Sequence, residues 1–154
     1  MNQWREFLRE PIVFNTSYKR PSFSALISAE LDAWRAIQLI QEGLPTRVVF
    51  QAAKFLHVEP LQLTSALSLR RTLCRQSSDL NRSLSQVETE RMVRLADITR
   101  RAIAAFGNST AAAKWLPASN IALAGASPLE FVATDLGARE VRRVIAAISY
   151  GAAL

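Results

Sequence analysis

Apolar positions recur along this chain at spacings of three and four, and no alternating apolar–polar run exceeds four residues. That pattern predicts helices throughout and no sheet. Leu31, Trp34, Ile37 and Ile40, with Ala33 and Ala36 between them, predict an amphipathic helix from about Ala29. Gly43 closes it in the left-handed cap position, with Pro45 beyond. A second helix from about Thr46 to Leu56 offers Val48, Val49, Ala52, Ala53, Phe55 and Leu56 to a core. His57-Val58-Glu59-Pro60 breaks it, because Pro60 disfavours a helical Glu59 but suits the first turn of the next helix. Leu61–Leu67 forms that short helix, and Ser68 is placed to cap a fourth from Leu69 to about Gln76. A polar link, Ser77–Ser83, follows. Ser85 and Glu88 have capping-box spacing and open the longest helix, which runs to Phe106 and stops at Gly107. Asn108 or Ser109 caps an alanine-rich helix ending at Leu116-Pro117. The uncharged stretch Ala118–Ser127 reads as an ordered loop. Ser127, Pro128 and Glu130 combine cap, first-turn proline and third-position glutamate, and a last helix spans about Leu136 to Tyr150 before Gly151. No internal repeat occurs. The fold class is all-α.

Length and composition narrow the classes. With 154 residues, the chain suits one domain or two small ones. No eighteen consecutive apolar residues occur, so no membrane span is expected. The first ten residues alternate charged and apolar side chains without a signal peptide's apolar stretch, which reads as cytoplasmic. One cysteine, Cys74, and one histidine, His57, leave no internal disulfide and no Cys/His zinc site. His57 sits in a turn far from any motif serine, so nucleophilic chemistry lacks a base. The four aspartates are scattered, and Glu88 and Glu90, two apart on one helix, face different ways. There is no glycine-rich phosphate loop. The expectation is a non-enzyme with no metal, cofactor or small-molecule substrate.

Charge points toward a polyanion. The formal net charge is +6, and sixteen of the nineteen basic residues are arginine, the residue suited to bidentate phosphate and guanine contacts. A coding bias accounts equally well for the bulk excess. Its distribution is more specific, since residues 1–44 are neutral while 45–97 and 98–154 each carry +3. Arg70, Arg71, Arg75 and Arg82 face the single acid Asp79. The pair Leu61–Leu67 and Leu69–Gln76 fits a helix-turn-helix, the second member presenting Arg71 and Arg75 on one face and Thr72 and Gln76 beside them. Leu69 and Leu73 turn to the core. Arg70, Arg71, Thr72, Arg75, Gln76 and Arg82 are therefore the candidate DNA contacts. A solvated basic helix on a bundle explains the same arginines.

The second half carries ordered motifs: Leu84-Ser85 with Glu88 and Arg91, Phe106-Gly107, Ala113-Lys114-Trp115-Leu116, Asn120, Ala122–Gly125, Ser127-Pro128-Leu129, Thr134-Asp135-Leu136-Gly137 and Tyr150-Gly151. This series closely resembles the Xre/MbcA/ParS-type antitoxins, partners of RES-domain toxins. The resemblance runs from about Gly43 to the C-terminus. Departures are Ala124-Gly125 for the family's paired glycines, Ser119-Asn120 for its Pro-Asn, Arg75-Gln76 for a double arginine, and Leu67 at the helix-turn-helix glycine.

The resemblance implies an Xre-like helix-turn-helix domain followed by a small helical toxin-binding domain. The corresponding division is residues 1–42 as an N-terminal helical extension, 43–97 as the DNA-binding region and 98–154 as the toxin-binding region. It further implies inhibition of a toxin that degrades NAD, by obstruction of its active site, and repression of the chain's own operon through operator DNA. Candidate toxin contacts are Trp115, Leu116, Asn120, Gly125, Pro128, Leu129, Arg139, Arg142, Arg143, Tyr150, Gly151 and Leu154. Large anchors among small residues suit an interface, yet Trp115, Leu129 and Phe131 suit a packed core equally. A homodimer is expected, because paired recognition helices read two half-sites. Two other readings stay open: a stand-alone helix-turn-helix transcriptional regulator without a toxin partner, and an interaction protein with a vestigial helix-turn-helix.

Overall fold

In the computed structural model, residues 21–29, 31–69 and 80–151 are described, and among them every regular element is helical. The first is α1, Phe23–Ser28, an element the spacing of apolar residues does not reveal. Ser22 caps it by accepting from the Ala25 amide, and the Phe23 amide donates to Gln51 Oε1 at 2.9 Å. The helix predicted from Ala29 starts later, as α2, Ala33–Glu42. Asp32 sets that start by accepting from the Arg35 amide at 2.7 Å, in an extended conformation that ends any continuation from α1. Its predicted apolar stripe is also split. Leu39 is buried with Ala36 and Ile40 against the core, whereas Trp34 is 62 % exposed and Ile37 faces solvent.

Two short helices follow, α3 over Arg47–Leu56 and α4 over Pro60–Ala66. Both end in the same way. After α3, His57 adopts φ +53° while the Val58 amide reaches Ala53 O at 3.1 Å. After α4, Ser68 adopts φ +54°, its amide reaches Ser65 O at 3.1 Å, and the Leu69 amide reaches Thr64 O at 2.7 Å. These paired bonds around a left-handed residue satisfy the last carbonyls of each helix. Ser68 is therefore the residue that terminates α4, and its left-handed backbone is not the extended one that an N-cap needs. The glycine expected at Leu67 has its left-handed role one position later, on Ser68.

The axis of the fold is α5, Gln86–Phe106. Ser85 and Glu88 form the expected capping box, and Gly107 ends the helix with φ +74°. Met92, Leu95, Ala96, Ile98, Thr99 and Ala102 are buried along it, where α1, α2, α6 and α8 pack. The short α6, Ser109–Trp115, is capped by Asn108. A 3₁₀ turn, Ile121–Leu123, leads to α7, Pro128–Phe131, and α8, Asp135–Ser149. One apolar core runs through all of them, from Phe23 and Leu26 through Leu44 and Leu56 to Leu129, Val141 and Ile145. No described helix is long and apolar enough to cross a membrane.

The join between α7 and α8 is tight. Thr134 Oγ1 accepts from the Gly137 amide at 3.0 Å, and a Cβ on Gly137 would lie 2.0 Å from Phe131 O and 2.8 Å from its carbonyl carbon. The obstacle is backbone, so it cannot swing aside. Gly137→Ala is expected to lower stability by about 2–3 kcal/mol, through forced separation of α7 and α8. Urea unfolding followed by circular dichroism checks this, and an unchanged midpoint would show that the join yields.

Candidate partner-binding surfaces

Of the six candidate DNA contacts, Arg70, Arg71, Thr72, Arg75 and Gln76 lie outside the described residues. Arg82 is exposed, and its carbonyl accepts from both the amide and the hydroxyl of Thr46, each at 2.8 Å. The Arg47 amide donates to Leu80 O at 2.9 Å, its guanidinium donates to Asn81 Oδ1 at 2.8 Å, and the Leu84 amide donates to Leu44 O at 2.7 Å. A clasp thus holds residues 80–84 against the start of α3. On the other side, Leu69 is buried and Arg91 Nη1 donates to Ser68 O at 2.9 Å. Both edges of the basic stretch are fixed to the same helical frame.

The C-terminal candidates divide by burial. Leu116, Pro128 and Leu129 are buried, and the Leu129 amide donates to Leu116 O at 2.9 Å, so these residues build the frame. Trp115 is half-buried, its ring 5.4 Å from that of Phe106. Asn120 organises the loop. Its side chain accepts from the Ala122 amide at 2.9 Å, and its carbonyl accepts from Leu123 and Gly125 at 3.0 and 2.9 Å. Ala124 and Gly125 follow with φ of +56° and +87°. That succession of left-handed residues is the conformational reason two glycines suit these positions. Gly125, Arg139, Arg143, Tyr150 and Gly151 are exposed, and Leu154 lies outside the described residues.

Arg142 differs from its neighbours on α8, because its Nε donates to Asp97 Oδ2 on α5 at 3.3 Å. Asp97 also accepts from Arg100 and Arg101 at 3.0 Å. Partial burial raises its carboxyl pKa, but the hydrogen bond and charge of Arg101, with Arg100 and Arg142, outweigh that and hold it below the ordinary aspartate value. These side chains, with Glu90 and Arg94, line a groove of about 360 Å³ between α5, α8 and the α1–α2 end. Glu130 is lowered too, by the Ser127 amide and then the Ser127 hydroxyl, which bond its carboxylate in the second capping box.

In the C-terminal region two exposed large apolar residues lie outside the candidate contacts. Ile121 stands on the 3₁₀ turn and Leu136 on the first turn of α8. The signal for Leu136 was present: at helical spacing it lies opposite Val141, Val144 and Ile145.

Residues 101–151 match the antitoxin Xre/MbcA/ParS C-terminal toxin-binding domain. Over that last third, which holds α6, α7 and α8, the chain is similar to that domain family. No curated protein matches the chain.

The Asp97 hub has a pH signature. A carboxyl whose folded pKa is depressed adds stability above its unfolded value, about 3.9, and that stability is lost as pH falls through the folded value. Urea unfolding between pH 6 and pH 3 should show stability falling below about pH 4. Asp97→Asn should cost about 1–2 kcal/mol at neutral pH and shrink this acid loss, leaving the part due to Glu130. An unchanged acid limb in Asp97→Asn would refute the hub's role.

Proposed function

We propose that a chain carrying this toxin-binding domain is an antitoxin that binds and inhibits a cognate RES-domain, NAD-degrading toxin by obstructing the toxin's active site. In the same reading it represses its own operon by binding operator DNA as a homodimer. The work divides into residues 1–42 as an N-terminal extension, 43–97 as the helix-turn-helix region and 98–154 as the toxin-binding region, over one continuous core. NAD is the substrate of the toxin and not a ligand of this chain, which acts as a protein inhibitor rather than a catalyst.

The match of residues 101–151 to a toxin-binding domain carries this reading. Physical support comes from the shape of that region. Its anchors Leu116, Pro128 and Leu129 are buried, while Arg139 and Arg143 stand in solvent on a helix held to the core and Tyr150 and Gly151 are exposed just past its C-terminal end. A rigid element with exposed aromatic and arginine side chains is the usual make-up of an interface centre. For DNA, support comes from the arginine content of residues 70–82 and from the fixed edges of that stretch.

Co-expression with the product of the adjacent gene, expected on this reading to be a RES-type toxin, should preserve cellular NAD and yield a stable complex. Deletion of Tyr150–Leu154 should abolish the protection. Absence of a complex, with NAD lost regardless, would move the chain to the stand-alone regulator reading. Operator binding is tested by mobility shift over a salt series with DNA from upstream of the chain's own gene. Arg71→Ala with Arg75→Ala should weaken binding and reduce the salt slope by about one per lost phosphate contact. Equal affinity for all sequences, or none, would leave a vestigial helix-turn-helix.

A further inference from the structure

The exposed large residues of α8 fall on one line. At about 3.6 residues per turn, Leu136, Arg139, Arg143 and Tyr150 share a face opposite the buried Ala138, Val141, Val144 and Ile145. Their exposures are high: 72 % for Leu136, 69 % and 80 % for the side chains of Arg139 and Arg143, and 90 % for Tyr150. The Tyr150 amide still donates to Ala146 O at 3.0 Å, so the residue continues the helical register. Leu136 and Tyr150 stand about 21 Å apart along the axis, at 1.5 Å per residue. Two guanidiniums lie between two apolar side chains.

Burial and charge both argue for a use. A leucine this exposed at the start of a helix contributes nothing to the core, and its neighbours on the face are not apolar enough to form a patch that seals itself. Arg139 pairs along the helix with Asp135 at 3.4 Å, and Arg143 with Glu140 at 3.2 Å. Exposed pairs of this kind contribute little, so a partner's carboxylates can replace them at small cost. The opposite side of α8 is packed on α5 and bonded to it through Arg142 and Asp97. Such a helix presents its outward face without rearrangement.

We infer that the outward face of α8 is the surface that docks the toxin, and that the toxin meets it with an acidic strip ending in two apolar pockets, one for Leu136 and one for Tyr150. This rests on the antitoxin reading above. It goes further by adding Leu136 as an anchor and by leaving out the apolar tip of the 3₁₀ turn at Ile121, which is 97 % exposed.

Calorimetric titration with the product of the adjacent gene, expected on the antitoxin reading to be a RES-domain toxin, tests the inference, using variants confined to exposed side chains. Leu136→Asp should weaken the complex by about tenfold or more. The double reversal Arg139→Glu with Arg143→Glu should weaken it about as much and flatten its salt dependence. Ile121→Asp, the control on the same region, should stay within about twofold. Should Leu136→Asp and the double reversal bind like the unaltered chain, the face is wrong while the antitoxin reading stands. Should the unaltered chain itself fail to bind the toxin at micromolar concentration, the antitoxin reading falls and this face falls with it. Circular dichroism melts matching the unaltered chain exclude unfolding as the cause of any loss.

Discussion

The burial of α5 is the constraint from which the other positions follow. A 21-residue helix spans about 31 Å, and this one is covered along most of its length by α1, α2, α6 and α8. Met92, Leu95 and Ile98 are fully buried, each contributing about 1.5–3 kcal/mol relative to exposure. Beside them on the buried side, Ala96, Thr99 and Ala102 are small enough for partner helices to approach closely. Two buried hydroxyls are bonded, one within α5 and one to a distant segment. Thr99 donates to Leu95 O at 2.7 Å, and Thr89 accepts from the Leu44 amide at 3.1 Å. The second of these bonds fixes where the chain enters α3, so the central helix also positions the clasp at residues 80–84.

Helix ends were the most legible feature, because they depend on contacts within one turn. Ser85 with Glu88, Ser127 with Glu130, and Gly107 act as expected, while Gly43 ends its helix at φ +79° but with ψ 132° rather than in the left-handed well. The interior of the first predicted helix was not legible. Leu31, Trp34, Ile37 and Ile40 satisfy a helical period, but a period does not say which of two apolar faces meets the core. Tertiary packing selects Leu39 and leaves Trp34 outside. The six-residue α1 was invisible for a related reason: it is too short to show a period, and its start depends on Gln51, 28 positions away. Ser68 escaped because serine at a helix boundary signals a cap, whereas its left-handed backbone is imposed by the bonds of Leu69 and Ser68 to α4.

The candidate site was legible in its charges and less so in its apolar residues. Three arginines on the last helix read alike in sequence, yet they do different things. Arg142 ties α8 to Asp97 across the core edge, while Arg139 and Arg143 stand in solvent. Helical position separates them, since Arg142 lies on the border of the buried face. The same reasoning sorts the large apolar residues. Leu116 and Leu129 carry motif signals and are buried, so the motif records a folding requirement. Leu136 sits inside another motif stretch, before the close-approach Gly137, and is exposed. Sequence order alone cannot tell a residue kept for the frame from one kept for its outward surface.

Rigidity is what makes the outward face of α8 suitable for recognition. Holding side chains in one arrangement has an entropic cost on association, and here much of that cost is met during folding. Val141, Val144 and Ile145 pack inward, Arg142 bonds to Asp97, and Gly137 locks the helix start against α7. The helix therefore keeps its direction in the absence of a partner. The frame that holds it extends through α5, and through the contact of α4 with α7, to the clasp beside the basic stretch. A partner gripping α8 would thus hold the same core to which Ser68, Leu69 and residues 80–84 are fixed. On the proposed reading, toxin capture and operator binding are coupled by placement on one core rather than by a hinge. The coupling then depends on whether both partners fit around that body together, and so on steric geometry rather than on a change of shape.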